Sequence, residues 1–425
     1  MTDGAAAPGV ALASAMAEAF DRAPACLGVA VSGGGDSLAL LHLLHDWAAS
    51  HGTALTVATV DHGLRPEAAE EAAMVARVCA GLGIPHQTLR WRDWDGRGNL
   101  SDAARRGRYA LLAGWALGQG AAAVALGHTL DDQAETVLMR LARGSGVDGL
   151  SAMAPVRRSG RMLWLRPLLR VTRARLRAVL EARGLKWAED PTNDDPAYDR
   201  VRARQALALL APLGVDARGL AATAGRMAMA RAALEAAALR LAEDAVQIEA
   251  GDVVIDRAAL VQAPEETRLR LVAHALGWIS SADYRPRLTA LTEALGAALQ
   301  GRKATLSGCL MLPRGETLRL TREAHAVAGL TAPPGAAWDG RWRLEGSADK
   351  DMHLAALGEG GLALCPRWRE TGLPRDSLIA APALWRGTTL IAAPLAGPGA
   401  PGDHGDWRLV PEKGREDFLA TLLSH

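Results

Sequence analysis

The sequence predicts an α/β protein: an N-terminal doubly wound parallel sheet, then a helical and mixed domain, then a small β-rich C-terminal domain. Three observations lead there. Short apolar runs alternate with amphipathic helical segments through the first half, the pattern of parallel strands joined by crossover helices. A glycine loop, Ser32-Gly33-Gly34-Gly35-Asp36-Ser37, stands between the first apolar run and the first long helix. Past residue 213 the texture turns alanine-rich, and "TAPPGAAWDG" at 331–340 reads as a Pro/Gly-rich boundary. The expected domains are therefore 1–213, 214–330 and 331–425.

The elements follow in order. "LGVAV" leads into the glycine loop and a helix from Ser37; "ALTVATV" precedes a helix opened by Pro66, with Glu67, Glu70 and Glu71 complementing its dipole. "PHQTLRW" precedes the helix "SDAARRGRYALLAGWALG", and "AAVALGH" precedes a helix from Asp131. In such sheets ligands sit beyond the C-terminal ends of the strands. Downstream, "GLAATAGRMAMARAALEAAALRLAEDAV" reads as a connecting helix, followed by the strand "DVVID", two helices and a hairpin-like pair, "KATLSGCLMLPRGETLRLTR". "RWRLEG" and "LIAAP" give the last region its β character.

Composition narrows the function classes. No run of about 18 apolar residues is present, so no membrane partner is expected. The acidic, alanine-rich N-terminus reads as a helix rather than a signal peptide, which places the chain in the cytoplasm. Cys26, Cys79, Cys309 and Cys365 form no CxxC pair, which argues against zinc, iron-sulfur and disulfide frameworks and for free, mostly buried thiols. A net charge of +1 hides a local excess: Arg157 to Arg183 carries nine arginines and one acid, Glu181. That stretch is a solvated helix face or a polyanion contact, and its density favours the polyanion.

The glycine loop is a phosphate site in kind, because bare amides and a helix dipole both point at an anion. It has neither the Walker A ending nor GxGxxG spacing, and a tight turn needing positive φ is its plain alternative. His62 and Arg65 lie just past a strand end, where they are structural or reach a ligand. Arg105 and Arg108 are three apart on one helical face, with Arg106 adjacent, and suit phosphate oxygens. Asn99 is either a helix cap or a ligand contact. Asp132 and Glu135 are likewise three apart at a helix start, beside Asp131, Gln133 and His128. They are dipole complements, or they bind magnesium or a cationic substrate, with Thr136 completing the pocket.

The loop resembles the SGGxDS pyrophosphatase loop of the N-type ATP pyrophosphatases, the PP-loop family with a Rossmann-like sheet. "DHGLRPEAAEEA" at 61–72, "GNLSDAARRGRY" at 98–109, "LGHTLDDQAETVLMRLARGSGVDGL" at 126–150, "RPLL" at 166–169 and "EDPTN" at 189–193 narrow it. Block by block and in order, over about the first 205 residues, they are similar to the tRNA(Ile)-lysidine synthetase family.

The resemblance implies ATP and Mg2+ as cofactors. Ser32, Gly33, Gly34, Gly35 and Ser37 would hold phosphate oxygens, Asp36 would place Mg2+, and His62 and Arg65 would contact the nucleotide. Asp36, Arg105, Arg108, His128, Asp132 and Glu135 would be the catalytic set. Asn99, Asp131, Thr136, Arg140, Arg143, Arg200 and Arg204 would meet tRNA or lysine. The partners implied are tRNA(Ile) with a CAU anticodon and L-lysine, and the resemblance admits a homodimer. The reaction implied is ligation of lysine to the wobble cytidine through an adenylated base. One departure stands out: Val201 occupies the position where the family commonly has asparagine.

RNA phosphates would be gripped by the 157–183 arginines and by Arg302, Lys303, Arg314, Arg319 and Arg322, while Trp91, Trp94 and Trp164 either stack on bases or belong to the core. Two other readings compete. A tRNA 2-thiolating relative would usually carry paired cysteines, absent here, and a non-catalytic nucleotide- or tRNA-binding module would not need the intact acids and arginines.

Overall fold

The computed structural model describes residues 7–63, 67–92, 94, 100–189, 195–282, 284–402, 407–412, 415 and 417–422. The chain divides into two compact units, Met1–Arg231 and Ala232–Ser424.

The first unit runs α1 (Pro8–Ala19), β1 (Cys26–Ala30), α2 (Gly35–His51), β2 (Ala54–Asp61), α3 (Glu67–Gly81), β3 (His86–Arg90), α4 (Leu100–Gly118), β4 (Val124–Leu126), α5 (Leu130–Ala142) and α6 (Val147–Leu150). It continues with β5 (Val156–Ser159), β6 (Met162–Leu165), α7 (Arg173–Ala182), α8 (Asp199–Leu210) and the start of α9 (Ala217–Ala245). The sheet order is β3-β2-β1-β4-β6-β5, parallel except for β5, which pairs antiparallel with β6 at the edge. The predicted parallel sheet is therefore present, and it gains a strand pair inside the arginine-rich stretch. Buried Met162, Trp164 and Leu165 make that segment sheet rather than an uninterrupted basic face.

Period-two alternation sends the side chains of β1 to opposite faces. Leu27, Val29 and Val31 pack with α1, α2, α3 and α7, whereas Ala30, Ala58, Val124 and Leu126 pack with Leu112, Trp115 and Ala116 of α4. Gly28 gives Trp115 its room, since a Cβ there would lie 3.1 Å from the indole. With helices on both faces, the strand order reverses direction between β1 and β4, and a crevice opens beyond their C-terminal ends.

The second unit begins in α9 and continues through β7 (Val246–Glu249), β8 (Asp252–Asp256), α10 (Arg257–Gln262), α11 (Glu265–Ser280), α12 (Leu288–Leu299), β9 (Ala304–Leu306), β10 (Cys309–Arg314) and β11 (Thr317–Arg322). These strands form an antiparallel sheet, β7-β8-β11-β10-β9, whose buried face meets Leu271, Leu276, Leu291 and Leu295 of α11 and α12. Then come α13 (Ala324–Val327), β12 (Thr331–Ala332), β13 (Trp342–Glu345), β14 (Met352–Ala356), α14 (Gly358–Ala363) and α15 (Arg375–Ile379). The chain closes with β15 (Pro382–Arg386), β16 (Thr389–Ala392), β17 (Arg408–Pro411) and α16 (Phe418–Leu422). Two small sheets, β12-β14-β15-β16 and β13-β17, supply the predicted β-rich character.

Two of the arginines expected to grip RNA lie inside this unit. Arg319 points inward from β11 and donates to Asp252 at 3.0 Å, and Arg322 donates to both oxygens of Asp339 at 2.9 and 3.0 Å. Arg302, Lys303 and Arg314 are exposed, Lys303 facing Asp376 at 3.0 Å. All four cysteines are free, and burial pushes the Cys79 thiol up to about 11 and Cys309 to about 12. No single helix among the described residues is long and apolar enough to cross a membrane.

Candidate active site

The glycine loop sits where β1 hands over to α2. Gly33 has φ +93°, a conformation glycine adopts without strain, and its carbonyl accepts the Ala188 N–H at 3.0 Å. Ser37 Oγ donates to the Gly34 carbonyl at 2.9 Å and accepts the Ser32 N–H at 3.1 Å, while Ser32 Oγ lies 3.2 Å from it. The two serines thus brace the loop on itself. No side chain caps α2, so the first-turn amides behind Gly34 face the crevice, as an anion requires. Gly127, at the end of β4, comes so close to α2 that a Cβ would lie 3.0 Å from Ser37 Cα. That approach brings His128 and α5 beside the loop.

Thr129 caps α5 in a reciprocal arrangement with Asp132: Asp132 Oδ2 accepts from the Thr129 N–H at 2.8 Å and from its hydroxyl at 2.9 Å. The dipole-complement reading of Asp132 therefore holds for one oxygen. The other, Oδ1, faces Arg173 at 3.3 Å and Arg200 at 3.9 Å. Glu135 Oε1 accepts from Arg204 Nε at 3.0 Å and lies 3.6 Å from Arg173, while Oε2 is buried with no hydrogen-bond partner among the described residues.

Arg173 completes the arrangement. It opens α7, its backbone N–H donates to Asp131 Oδ2 at 2.7 Å, and its Nε donates to Asp36 Oδ2 at 3.0 Å. One guanidinium thus reaches Asp36, Asp132 and Glu135. Sequence reasoning leaves Arg173 inside the basic run. Its position as the first residue of a helix, just after Thr172, is the signal that separates it from its neighbours.

These groups line a cleft of about 750 Å3 together with Arg108, His128, Arg200, Val201 and Arg204. A second pocket of about 350 Å3, with Thr59, Val60 and His62 at the end of β2, shares Ser32, Gly34 and Arg108 with it. Burial raises the Asp36 pKa against the opposing Arg173, and burial together with Asp132 raises that of Glu135. For Asp132 burial acts the same way, but Arg173, the Thr129 N–H and Arg200 outweigh it and lower the pKa. Burial pushes His128 down to about 3 despite Asp132, so its imidazole is neutral, with Nδ1 buried and unpartnered among the described residues. His62 is lowered by burial and by Arg108, and its Nδ1 is likewise unpartnered.

Other expected residues stand elsewhere. Arg105 is exposed, 5.2 Å over the Tyr109 ring. Thr136 donates to the Asp132 carbonyl at 2.7 Å and closes on its own helix. Arg140 donates to Gly149 and Ala152 carbonyls at 2.7 and 3.1 Å, holding the turn after α6, and Arg143 pairs with Asp199 at 2.8 Å. Asp131 orients Arg173 through its backbone. Arg65 and Asn99 lie outside the described residues.

The arginine run also divides. Arg166 is buried on the Ala154 carbonyl, Arg170 pairs with Glu18, Arg177 with Glu189 and Arg183 with Asp46, while Arg157, Arg158 and Arg161 stay exposed on the β5–β6 hairpin. Trp91 and Trp164 are core: a Cβ at Gly107 would collide with the Trp91 indole nitrogen. Trp94 is exposed.

Residues 10–210 match the family model of the PP-loop domain. A tRNA(Ile)-lysidine synthase of Ruegeria pomeroyi is 53% identical over 402 residues, covering 95% of this chain and 95% of that protein. A tRNA(Ile)-lysidine synthase of Bradyrhizobium diazoefficiens is 41% identical over 366 residues, covering 82% of this chain and 92% of that protein. Among solved structures, a U34-tRNA thiolase of Methanococcus maripaludis is 17% identical and covers 52% of this chain and 78% of that one, with a TM-score of 0.46.

Proposed function

This chain belongs to the tRNA(Ile)-lysidine synthases, a family of PP-loop proteins, and on that premise we propose how its cleft performs the reaction. The enzyme ligates L-lysine to C2 of the wobble cytidine in the CAU anticodon of tRNA(Ile), consuming ATP and releasing AMP and pyrophosphate, so that the codon read changes from AUG to AUA.

The triphosphate end of ATP rests on the Gly33 to Gly35 loop and the first-turn amides of α2, and the nucleoside extends toward the pocket of Thr59 and His62. The cytosine O2 attacks the α-phosphorus, the bond to the β-phosphate breaks, and pyrophosphate departs into the loop. Arg108 and Arg200, which line the same cleft, meet the charge that develops on the α-phosphate.

Lysine arrives as an ammonium of unperturbed pKa about 10.4 and must lose a proton before its ε-nitrogen bonds C2 and AMP leaves. Glu135 is the acceptor we assign. Its Oε2 is buried and free of hydrogen bonds among the described residues, and its pKa is raised by burial and by Asp132. Asp132 Oδ1 supplies the fixed negative charge that positions the ammonium, and His128, neutral, serves as a hydrogen-bonding partner.

Mg2+ suits this donor set. Among the described residues no three acidic, His or Cys side chains form a cage, but Mg2+ commonly takes one or two carboxylates and completes its shell with phosphate oxygens and waters. Asp36, beside the loop, is the ligand we assign, and the ion neutralises the phosphate charge when bound. The reaction belongs to the cytoplasm, where tRNA, ATP and lysine meet. A homodimer is the assembly we assign, and light scattering tests it.

The observation that carries this reading is the convergence of the uncapped α2 N-terminus and the acids of α5 on one cleft. The test is incubation with labelled lysine, ATP, Mg2+ and a tRNA(Ile) transcript bearing CAU. Incorporation of lysine with AMP and pyrophosphate is the expected result; ADP release or lysine-independent turnover overturns it.

A further inference from the structure

Three carboxylates from two elements share one guanidinium. Arg173 lies 3.0 Å from Asp36, 3.3 Å from Asp132 and 3.6 Å from Glu135, and its side chain is 21% exposed. Its backbone is pinned by Asp131 at 2.7 Å, but the flexible stem beyond Cβ is not. Arg200 and Arg204 stand differently: Arg204 serves Glu135 at 3.0 Å and Arg200 serves Asp132 at 3.9 Å. Those two keep each α5 acid balanced whether or not Arg173 is there. Arg173 therefore occupies the oxygens that a substrate ammonium needs, and it does so next to the loop. Asp36 is the second residue of α2, so a phosphate on the first-turn amides sits beside its carboxylate. Mg2+ brought with the nucleotide would take up Asp36 and free the guanidinium from it, and a planar guanidinium bonds phosphate oxygens as readily as carboxylate oxygens.

Resting on the lysine-ligation reading above, we propose that Arg173 is a positioning residue that couples the two small substrates. In the empty cleft it is the counter-ion of Asp36, Asp132 and Glu135. Bound nucleotide phosphates draw it toward the loop and leave the α5 carboxylates open to the ε-ammonium of lysine. Lysine thus binds well only after ATP, which protects the acids until the base can be activated.

The test titrates L-lysine into the full-length protein, alone and with Mg2+ and the α,β-methylene analogue of ATP. In the wild type the analogue should tighten lysine about tenfold or more, and lysine should tighten the analogue by the same factor, as linkage requires. In R173M and R173Q the ratio should fall to about one, because lysine no longer competes with a resident cation, and R173K should retain most of the coupling. A merely structural role would weaken both ligands and leave the ratio unchanged. Lysine binding that is independent of nucleotide in the wild type overturns the inference without any variant, and so does coupling that persists in R173M or R173Q. Absence of lysine binding under both conditions overturns the lysine-ligation reading itself, and the inference with it.

Discussion

In Met1–Arg231, Arg173 reaches three carboxylates and Glu135 still keeps a buried oxygen without a partner among the described residues. In Ala232–Ser424, Arg322 meets both oxygens of Asp339, and Asp252 is met by Arg319 at 3.0 Å and by the Ser377 hydroxyl at 2.5 Å. The residue types are the same in both places. The difference is saturation. Where the acceptor oxygens are matched by donors, the arrangement stabilises the packing of the elements that carry it. Where an acceptor is left over at a cleft wall, as at Glu135, it is open to a donor from outside the chain, and leaving a buried polar atom unpaired costs about 1 to 3 kcal/mol.

The comparison is broken most directly at Asp36. Asp36→Ala should lower lysine transfer by about 10³-fold or more while melting close to the wild type, since Arg173 keeps Asp132 and Glu135 as partners when Asp36 is gone. Wild-type turnover in that variant would refute the loop's role. Asp252→Ala should do the reverse. Removing one partner of a buried pair costs about 3 kcal/mol, seen in denaturant unfolding, and nucleotide binding should be unchanged. A mild effect there would mean that the network is not structural.

Glu135→Gln keeps the size and the Arg204 contact but removes the proton acceptor, and kcat should fall about 10²-fold with little change in ATP affinity. A comparable loss on both would assign Glu135 to packing instead. His274 offers a pH test of the second unit. Burial pushes it down to about 4, so the unfolded chain binds its proton more readily than the folded one. Its contribution is present above about pH 6.5 and is lost as pH falls toward 4, about 1 kcal/mol by about pH 5.5. His274→Leu should flatten that slope in urea titrations.

The smallest effect belongs to the exposed hairpin. Replacing Arg157, Arg158 and Arg161 by serine should change stability by less than about 0.5 kcal/mol. Any role in gripping RNA then shows only as a shallower salt dependence of tRNA binding, by about one unit of slope for each phosphate that an arginine no longer neutralises.

Much of the fold and of the cleft is legible in the chain itself. The alternation of apolar runs and helices predicts the parallel sheet, because strand and helix periodicities are local properties. The loop, His128, Asp132 and Glu135 are legible for the same reason: the first two follow a strand end directly and the acids lie in the first two turns of the helix after it, which in this fold is a place at the crevice. The β5–β6 pair is hidden in the basic run because Arg157, Arg158 and Arg161 crowd β5 and the turn, and the apolar run that makes the second strand is only Met162–Leu165.

The sheet, the phosphate loop and the family blocks rest on short-range pattern and are written in the chain. What each arginine does is set by the fold. Arg173 entered the cleft, Arg140 and Arg166 became braces, Arg319 and Arg322 closed buried pairs, and Arg157, Arg158 and Arg161 remained in solvent. The physical reason is that a guanidinium's role is set by which acceptors lie within about 3 Å of it, and those acceptors come from residues distant in the chain.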